Sequence, residues 1–169
     1  PAVPAAQPNA AAQARLDLLE EAESHFAFDE YELAIPLYER AMELDPKDVE
    51  TAEQICTLYV LSDAPPEKGV IACERLLKLK PKNLAFPHQA IAELQMRKGD
   101  NQTALTSALE WARLEPQRAL PRTTLAKIYV ALGRNRDALA QMQEAAKLQP
   151  KDITTLAPAT VPPATAQKP

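Results

Sequence analysis

The strongest constraint on the fold of this chain is a proline that returns at a nearly constant spacing. It stands at positions 46, 81, 116 and 150, so the steps are 35, 35 and 34 residues. The stretch before the first of these prolines places apolar residues at 34, 38, 41 and 44, which is one face of a helix. Proline cannot continue a helix, because it lacks an N–H and its ring clashes with the preceding turn. The spacing therefore predicts repeated helix–turn–helix units that stack on one another.

These features resemble the tetratricopeptide repeat family, and the last repeat carries the resemblance best. Its large, small, aromatic and glycine positions are filled by Leu125, Ala126, Tyr129, Gly133, Ala138, Met142, Ala145 and Pro150. The leading Trp of the family is absent from every repeat. The resemblance implies an all-α, right-handed α-solenoid of about eight helices in a domain at 14–152. Its four repeats are predicted at 15–48, 49–83, 84–118 and 119–152.

Two Pro/Ala-rich segments flank the predicted array. Residues 1–13 and 153–169 are expected to be disordered, because such segments offer little apolar surface to bury. The chain begins with Pro1 instead of Met, and we expect an upstream segment to have been removed. Pro158 and the pair at 162–163 forbid an extra capping helix, so the trailing face of the fourth repeat is expected to be open.

The composition excludes several classes of function. The net charge is −4 and no Lys/Arg block occurs, so nucleic-acid binding has no electrostatic support. No apolar run approaches the roughly 18 residues of a membrane span, so direct membrane insertion is not expected. The only histidines, His25 and His88, lie in different repeats without a partner at catalytic or metal-ligand spacing. We therefore expect no enzyme, no cofactor and no metal.

Four positions inside the repeats carry specific expectations. Gly69 takes a small-residue place where two helices approach closely. Trp111 stands where other repeats hold Ala, and one turn earlier Ala108 replaces a larger residue, which indicates a large-for-small exchange in the core; a binding hot spot is the alternative. Cys56 and Cys73 both occupy positions of repeat two at which the side chains of every repeat are expected to point inward. Two buried reduced thiols are the favoured interpretation, and a disulfide in an oxidising compartment is the alternative.

The resemblance also implies where a ligand would bind. In this family the first helices of successive repeats line a concave groove. An apolar stripe there would be formed by Phe26, Val60, Met96 and Val130. Flanking positions would be Glu23, Thr57, Glu93 and Lys127, and a turn further back Leu19, Glu53, Gln89 and Thr123.

Such a groove suits an extended or helical peptide with apolar side chains and a basic flank. The alternative is that the stripe packs between adjacent repeats. A carboxylate clamp is not expected, because the matching places hold Leu19, Glu23, Gln54, Phe86 and Gln89 or Ala90, none of which is basic or Asn.

Two functions follow from these expectations. The first is a non-enzymatic interaction module, an adaptor or assembly factor, that binds a peptide or partner protein in the groove. The alternative is a scaffold that self-associates through the open fourth repeat as a homo-oligomer. Similar Pro/Ala-rich tails flank tethered envelope proteins of Gram-negative bacteria, which favours the bacterial periplasm or envelope over the cytoplasm.

Overall fold

The computed structural model describes residues 10–148, and this part of the chain is entirely helical. It contains α1 (Ala10–Ala27), α2 (Tyr31–Leu44), α3 (Val49–Leu61), α4 (Pro66–Lys78), α5 (Ala85–Lys98), α6 (Asn101–Leu114), α7 (Ala119–Ala131) and α8 (Asn135–Leu148). Each helix packs against its neighbours in sequence, and α3 also contacts α5. The predicted α-solenoid of four helix hairpins is confirmed.

The first helix begins earlier than the sequence predicted. Helix α1 starts at Ala10, inside the segment 1–13 that was expected to be a linker. Three consecutive alanines open this helix, and alanine has the highest helix propensity of any residue. Residues 1–9 and the predicted tail at 153–169 lie outside the described residues.

Short polar side chains and glycines set the ends of the helices. The Asp48 carboxylate accepts hydrogen bonds from the amides of residues 50 and 51 at the start of α3, at 3.1 and 3.4 Å. Asp100 caps α6 in the same way through the Thr103 amide, at 3.2 Å. Gly99 ends α5 with φ at 86°, a left-handed conformation that glycine adopts without strain. These residues fix where one helix of a hairpin gives way to the next.

Trp111 lies in the interior, as the large-for-small interpretation predicted. Its side chain has no exposed surface, and neither has that of Ala108. The indole Nε1 donates a hydrogen bond of 2.7 Å to Glu115 Oε2, so the one polar atom of the ring is satisfied. The hot-spot alternative is wrong, because this ring offers no surface to a partner.

Gly69 lies at the predicted close approach between helices. A Cβ atom at this position would stand 2.8 Å from Tyr59 Cβ and 2.9 Å from Leu94 Cδ1. Real Cβ atoms do not come so near to other carbons, so the absence of a side chain is what allows α4 to pack on α3 and α5.

Cys56 and Cys73 form a disulfide that joins α3 to α4. Their Cα atoms are 4.8 Å apart, and both side chains are fully buried. The favoured expectation of two reduced thiols is wrong. The two cysteines face each other across the hairpin of repeat two. At the position of Cys56 the other repeats hold Ala22, Ala92 and Ala126.

Arg97 links repeat three to repeat two. Its guanidinium donates hydrogen bonds to four backbone carbonyls around the end of α3 and the following turn, with distances of 3.0–3.2 Å. The acceptors belong to Tyr59, Val60, Ser62 and Ala64. These carbonyls have no partner inside α3, and the helix dipole places partial negative charge there. Arg97 therefore holds the end of one repeat against the next.

Candidate partner-binding groove

The four apolar stripe residues differ in how much surface they leave to a ligand. Phe26 and Val60 pack against the core that repeats one to three share, and Met96 packs against the second core cluster. All three are half-buried. Val130 is 58% exposed. Phe26, Val60 and Met96 therefore contribute to the core, and Val130 leaves the most surface exposed.

Several polar members of the predicted groove form hydrogen bonds along their own helices. Gln89 donates to Glu93 at 2.9 Å, Thr57 to the carbonyl of Glu53 at 2.9 Å, and Thr123 to the carbonyl of Leu120 at 2.8 Å. Three charged members, Glu23, Glu53 and Lys127, are exposed and form no ion pair within residues 10–148. These charges remain available to a partner.

A cavity of about 390 Å³ lies where repeat one meets repeat two. Its lining includes Leu19 and Glu23 of the predicted groove. The other lining residues are Arg15, Tyr38, Asp45, Asp48, Glu50, Thr51 and Gln54. Four carboxylates and one guanidinium therefore line this cavity, and we call it the acidic cavity.

One of these carboxylates is already neutralised by the protein. Asp48 pairs with Arg15 and accepts a hydrogen bond from the Thr51 hydroxyl. Burial acts to raise the pKa of Asp48, but Thr51, Arg15 and two backbone amides together hold that pKa below its ordinary value of 3.8. Asp48 is thus an ionised structural group, and Glu23, Asp45 and Glu50 carry the remaining negative charge.

The buried Tyr38 side chain reports the negative potential of this cavity. Burial raises the pKa of its phenol, and the nearby Glu23 and Glu50 carboxylates raise that pKa further. A cation entering the cavity would relieve the repulsion among these carboxylates. The arrangement suits the ammonium or guanidinium of a basic side chain.

The sequence did not reveal most of this cavity. Leu19 and Glu23 were predicted groove residues, but Asp45, Asp48 and Glu50 were not. The turn sequence Asp-Pro-Lys-Asp carried the available signal, because its two acids line the same cavity as Glu23.

The two histidines lie in separate surroundings. His25 Nδ1 lies 2.6 Å from Glu30 Oε2, at the turn between α1 and α2. His88 is partly buried near Glu110 and Arg113, and burial is the main reason why its pKa is lowered from 6.5. Within residues 10–148 no group of three or more His, Cys, Asp or Glu residues is placed to hold a metal ion. None of the helices there has the length and apolarity needed to cross a membrane.

The trailing face of repeat four is apolar and exposed. Leu139 and Met142 on α8 are 57% and 58% exposed. The equivalent residues of repeat three, Leu105 and Ala108, are buried because α7 covers them. No other part of residues 10–148 covers the corresponding surface of α8.

Comparison with known proteins places these helix hairpins in a family. The sequence profile of the tetratricopeptide repeat matches residues 18–48 and 122–152, which are the first and last repeats. Together with the four hairpins, these matches support the predicted assignment to the tetratricopeptide repeat family.

Solved structures of MamA share the fold. A crystal structure of MamA protein superimposes with a TM-score of 0.73 at 16% identity, covering 88% of this chain and 79% of that one. MamA 41-end from Desulfovibrio magneticus RS-1 gives 0.72 at 15% identity, covering 80% and 76%. The structure titled MamA MSR-1 C2 gives 0.70 at 18% identity, covering 78% and 74%. No curated protein sequence matches this chain.

Proposed function

We propose that this chain is a non-enzymatic interaction module, an adaptor or assembly factor, that binds an extended segment of a partner protein in its concave groove. The bound segment carries a basic residue next to apolar side chains. The tetratricopeptide fold supports the general class, since such arrays present concave surfaces to partners. The carboxylates and apolar side chains of the groove support a segment that carries basic and apolar residues.

The acidic cavity between repeats one and two carries this proposal. Glu23, Asp45 and Glu50 converge on about 390 Å³ of space, and none of them forms an ion pair within the described residues. Leu19 supplies an apolar wall beside them. A Lys or Arg side chain would place its charge among the carboxylates and its aliphatic stem against Leu19. Apolar neighbours in the bound segment would follow the groove toward Val60.

Selection from a displayed random-peptide library tests this proposal. Peptides that bind the wild-type chain are expected to combine Lys or Arg with large apolar residues. The variant Glu23→Gln with Glu50→Gln should no longer enrich these peptides. Glu43→Gln is the matched control, because it removes one exposed carboxylate of α2 that does not line the cavity.

Two results would contradict the proposal. One is enrichment without any basic residue. The other is equal enrichment by the double variant and the wild type. Circular dichroism of each variant separates a loss of binding from a loss of fold.

A second candidate function is self-association through the trailing face. Leu139 and Met142 form an exposed apolar surface, whereas the equivalent surface of repeat three is buried. At the other end of the array, Glu21 lies on the leading face of α1 and is exposed. The residues at the equivalent position of the later repeats, Ile55, Ile91 and Leu125, are buried. A charged leading face disfavours head-to-tail stacking, because burying Glu21 unpaired would be costly. Two trailing faces packed together would avoid that cost.

Light scattering over a hundredfold range of concentration tests the second candidate. Association through the trailing face predicts a mass that rises with concentration and returns to the monomer in Leu139→Glu with Met142→Glu. A constant monomer mass in both proteins would exclude it and leave the groove as the proposed working surface.

The Cys56–Cys73 disulfide supports an oxidising compartment. Stable disulfides form in oxidising environments and are rare in the reducing cytosol. We therefore favour the bacterial periplasm or envelope. Acid quenching of cells followed by alkylation of free thiols tests this placement: the chain should carry no alkylated cysteine. Modification of both Cys56 and Cys73 would argue for a reducing compartment.

A further inference from the structure

A second cavity, of about 310 Å³, lies outside the predicted groove, between α2 and α4. Its floor is formed by Ile55 and Tyr59 of α3, which are almost fully buried. Its walls are formed by Glu39, Lys68, Ile71, Ala72 and Arg75. None of these seven residues belongs to the predicted groove or to the acidic cavity.

Only one of the three charged side chains that line this cavity has a side-chain partner within residues 10–148. The Tyr59 hydroxyl donates a hydrogen bond of 2.8 Å to Glu39 Oε1, so the one carboxylate has a partner. The side chains of Lys68 and Arg75 form no ion pair or side-chain hydrogen bond within residues 10–148. Two free cations and one engaged carboxylate make this cavity positive, in a chain whose net charge is −4.

An exposed apolar side chain lies between the two cations. Ile71 is 67% exposed. It follows Lys68 by three residues and precedes Arg75 by four, so the three share one face of α4. Glu67 and Glu74 are on the same helix but do not line the cavity. The cavity therefore presents a cation, an apolar surface and a cation in order.

This pattern is not required by the repeat fold. The equivalent positions of repeat three are Thr103, Thr106 and Glu110, and those of repeat four are Asp137, Ala140 and Glu144. Those repeats form the same hairpin without an exposed isoleucine or a cation at these places. The disulfide lies in this same repeat and ties α3, the floor, to α4, the wall. A rigid wall lowers the cost of ordering on binding.

We propose that this cavity is a second docking site, for an acidic segment of a partner protein. The segment has an apolar side chain between two carboxylates. Lys68 and Arg75 are seven residues apart, so their Cα atoms are separated by about 10 Å along the helix. In a segment with polyproline II conformation, residues three apart lie on the same face and are separated by about 9 Å, close to that distance. The apolar side chain packs on Ile71 above the Tyr59 ring, and the carboxylates pair with the two cations.

This site and the acidic cavity select segments of opposite charge. A chain with both can hold a basic segment and an acidic segment at the same time. The second site does not depend on the first, because the two cavities share no lining residue.

Amide shifts measured by NMR during peptide titration test the second site. The probe is the acetylated, amidated tetrapeptide Glu-Ala-Leu-Glu, and its Gln-Ala-Leu-Gln analogue is the matched control. The acidic probe should shift amides of α4 and the end of α3. Lys68→Gln with Arg75→Gln should weaken its binding at least about fivefold, since two ion pairs are lost. Lys78→Gln, an exposed cation outside the cavity, should leave binding unchanged.

Four results would overturn the proposal. They are the absence of any saturable shift, equal binding of the acidic and amide probes, equal weakening by Lys78→Gln, and shifts confined to the concave groove. Ile71→Thr, which introduces the residue of repeat three, should weaken the acidic probe and leave the helical circular dichroism intact.

Discussion

Reduction of the Cys56–Cys73 disulfide should destabilise the chain substantially. The bond closes a loop with a sequence separation of 17 residues. The chain-entropy model gives roughly 3 kcal/mol of stabilisation for a loop of that length, because the link restricts the unfolded chain. With a urea m-value of about 2 kcal/mol/M, the midpoint of unfolding should fall by about 1.5 M. Both sulfurs are fully buried, so the bond should resist reductants until the hairpin opens.

The assay compares one protein in two redox states, which avoids the cavity that a Cys→Ala exchange would leave. The chain is reduced in denaturant, refolded with and without reductant, and unfolded in urea. Thiol titration of the denatured, non-reduced protein should find no free thiol. Equal midpoints for the oxidised and reduced proteins would refute the loop-closure reasoning.

Three further predictions concern single residues. Arg97→Ala should cost about 1–2 kcal/mol in urea unfolding, since four carbonyls lose a charged donor; Arg97→Lys should restore only part of it, and a neutral result would contradict the bracing role. Gly69→Ala should cost about 1–3 kcal/mol, because its Cβ meets Tyr59 Cβ at 2.8 Å; an unchanged thermal midpoint would show that the helices can shift. The lowered pKa of His88 implies that the unfolded state binds its proton more readily than the folded state. Its stabilising contribution is full above pH 6.5 and is lost as the pH falls through the folded pKa, so His88→Gln should flatten the acid side of the stability profile.

The sequence predicted the architecture well because the repeat is set by local physics. Proline stops, glycine turns and apolar columns each act within a few residues, and all recur with the same period. Gly69 and Trp111 were placed correctly for this reason: their positions are defined by the columns that surround them.

The sequence predicted less where the outcome depends on distances between helices. Cys56 and Cys73 were both placed on inward columns, but a disulfide requires a Cα separation that only the packed hairpin reveals, here 4.8 Å. Met142 matched a large position of the family pattern, yet it is exposed. Periodicity gives the direction of a side chain but does not show which element covers it.

The acidic cavity shows a third limit. Its carboxylates come from α1, from the turn after α2 and from the first turn of α3. The repeat pattern relates residues that lie at equivalent positions, one repeat apart. Glu23 is not related in this way to Asp45 and Glu50, because these residues meet only across the junction of two repeats.

The most direct test of the groove is fluorescence anisotropy with a labelled peptide taken from the library selection. The proposal predicts that Glu23→Gln with Glu50→Gln weakens its binding about tenfold, as expected when two ion pairs are lost, while Glu43→Gln leaves it unchanged. The difference between wild type and double variant should shrink as salt is added, because screening weakens both pairs. Equal affinity of the wild type and the double variant at low salt would contradict the assignment of the groove.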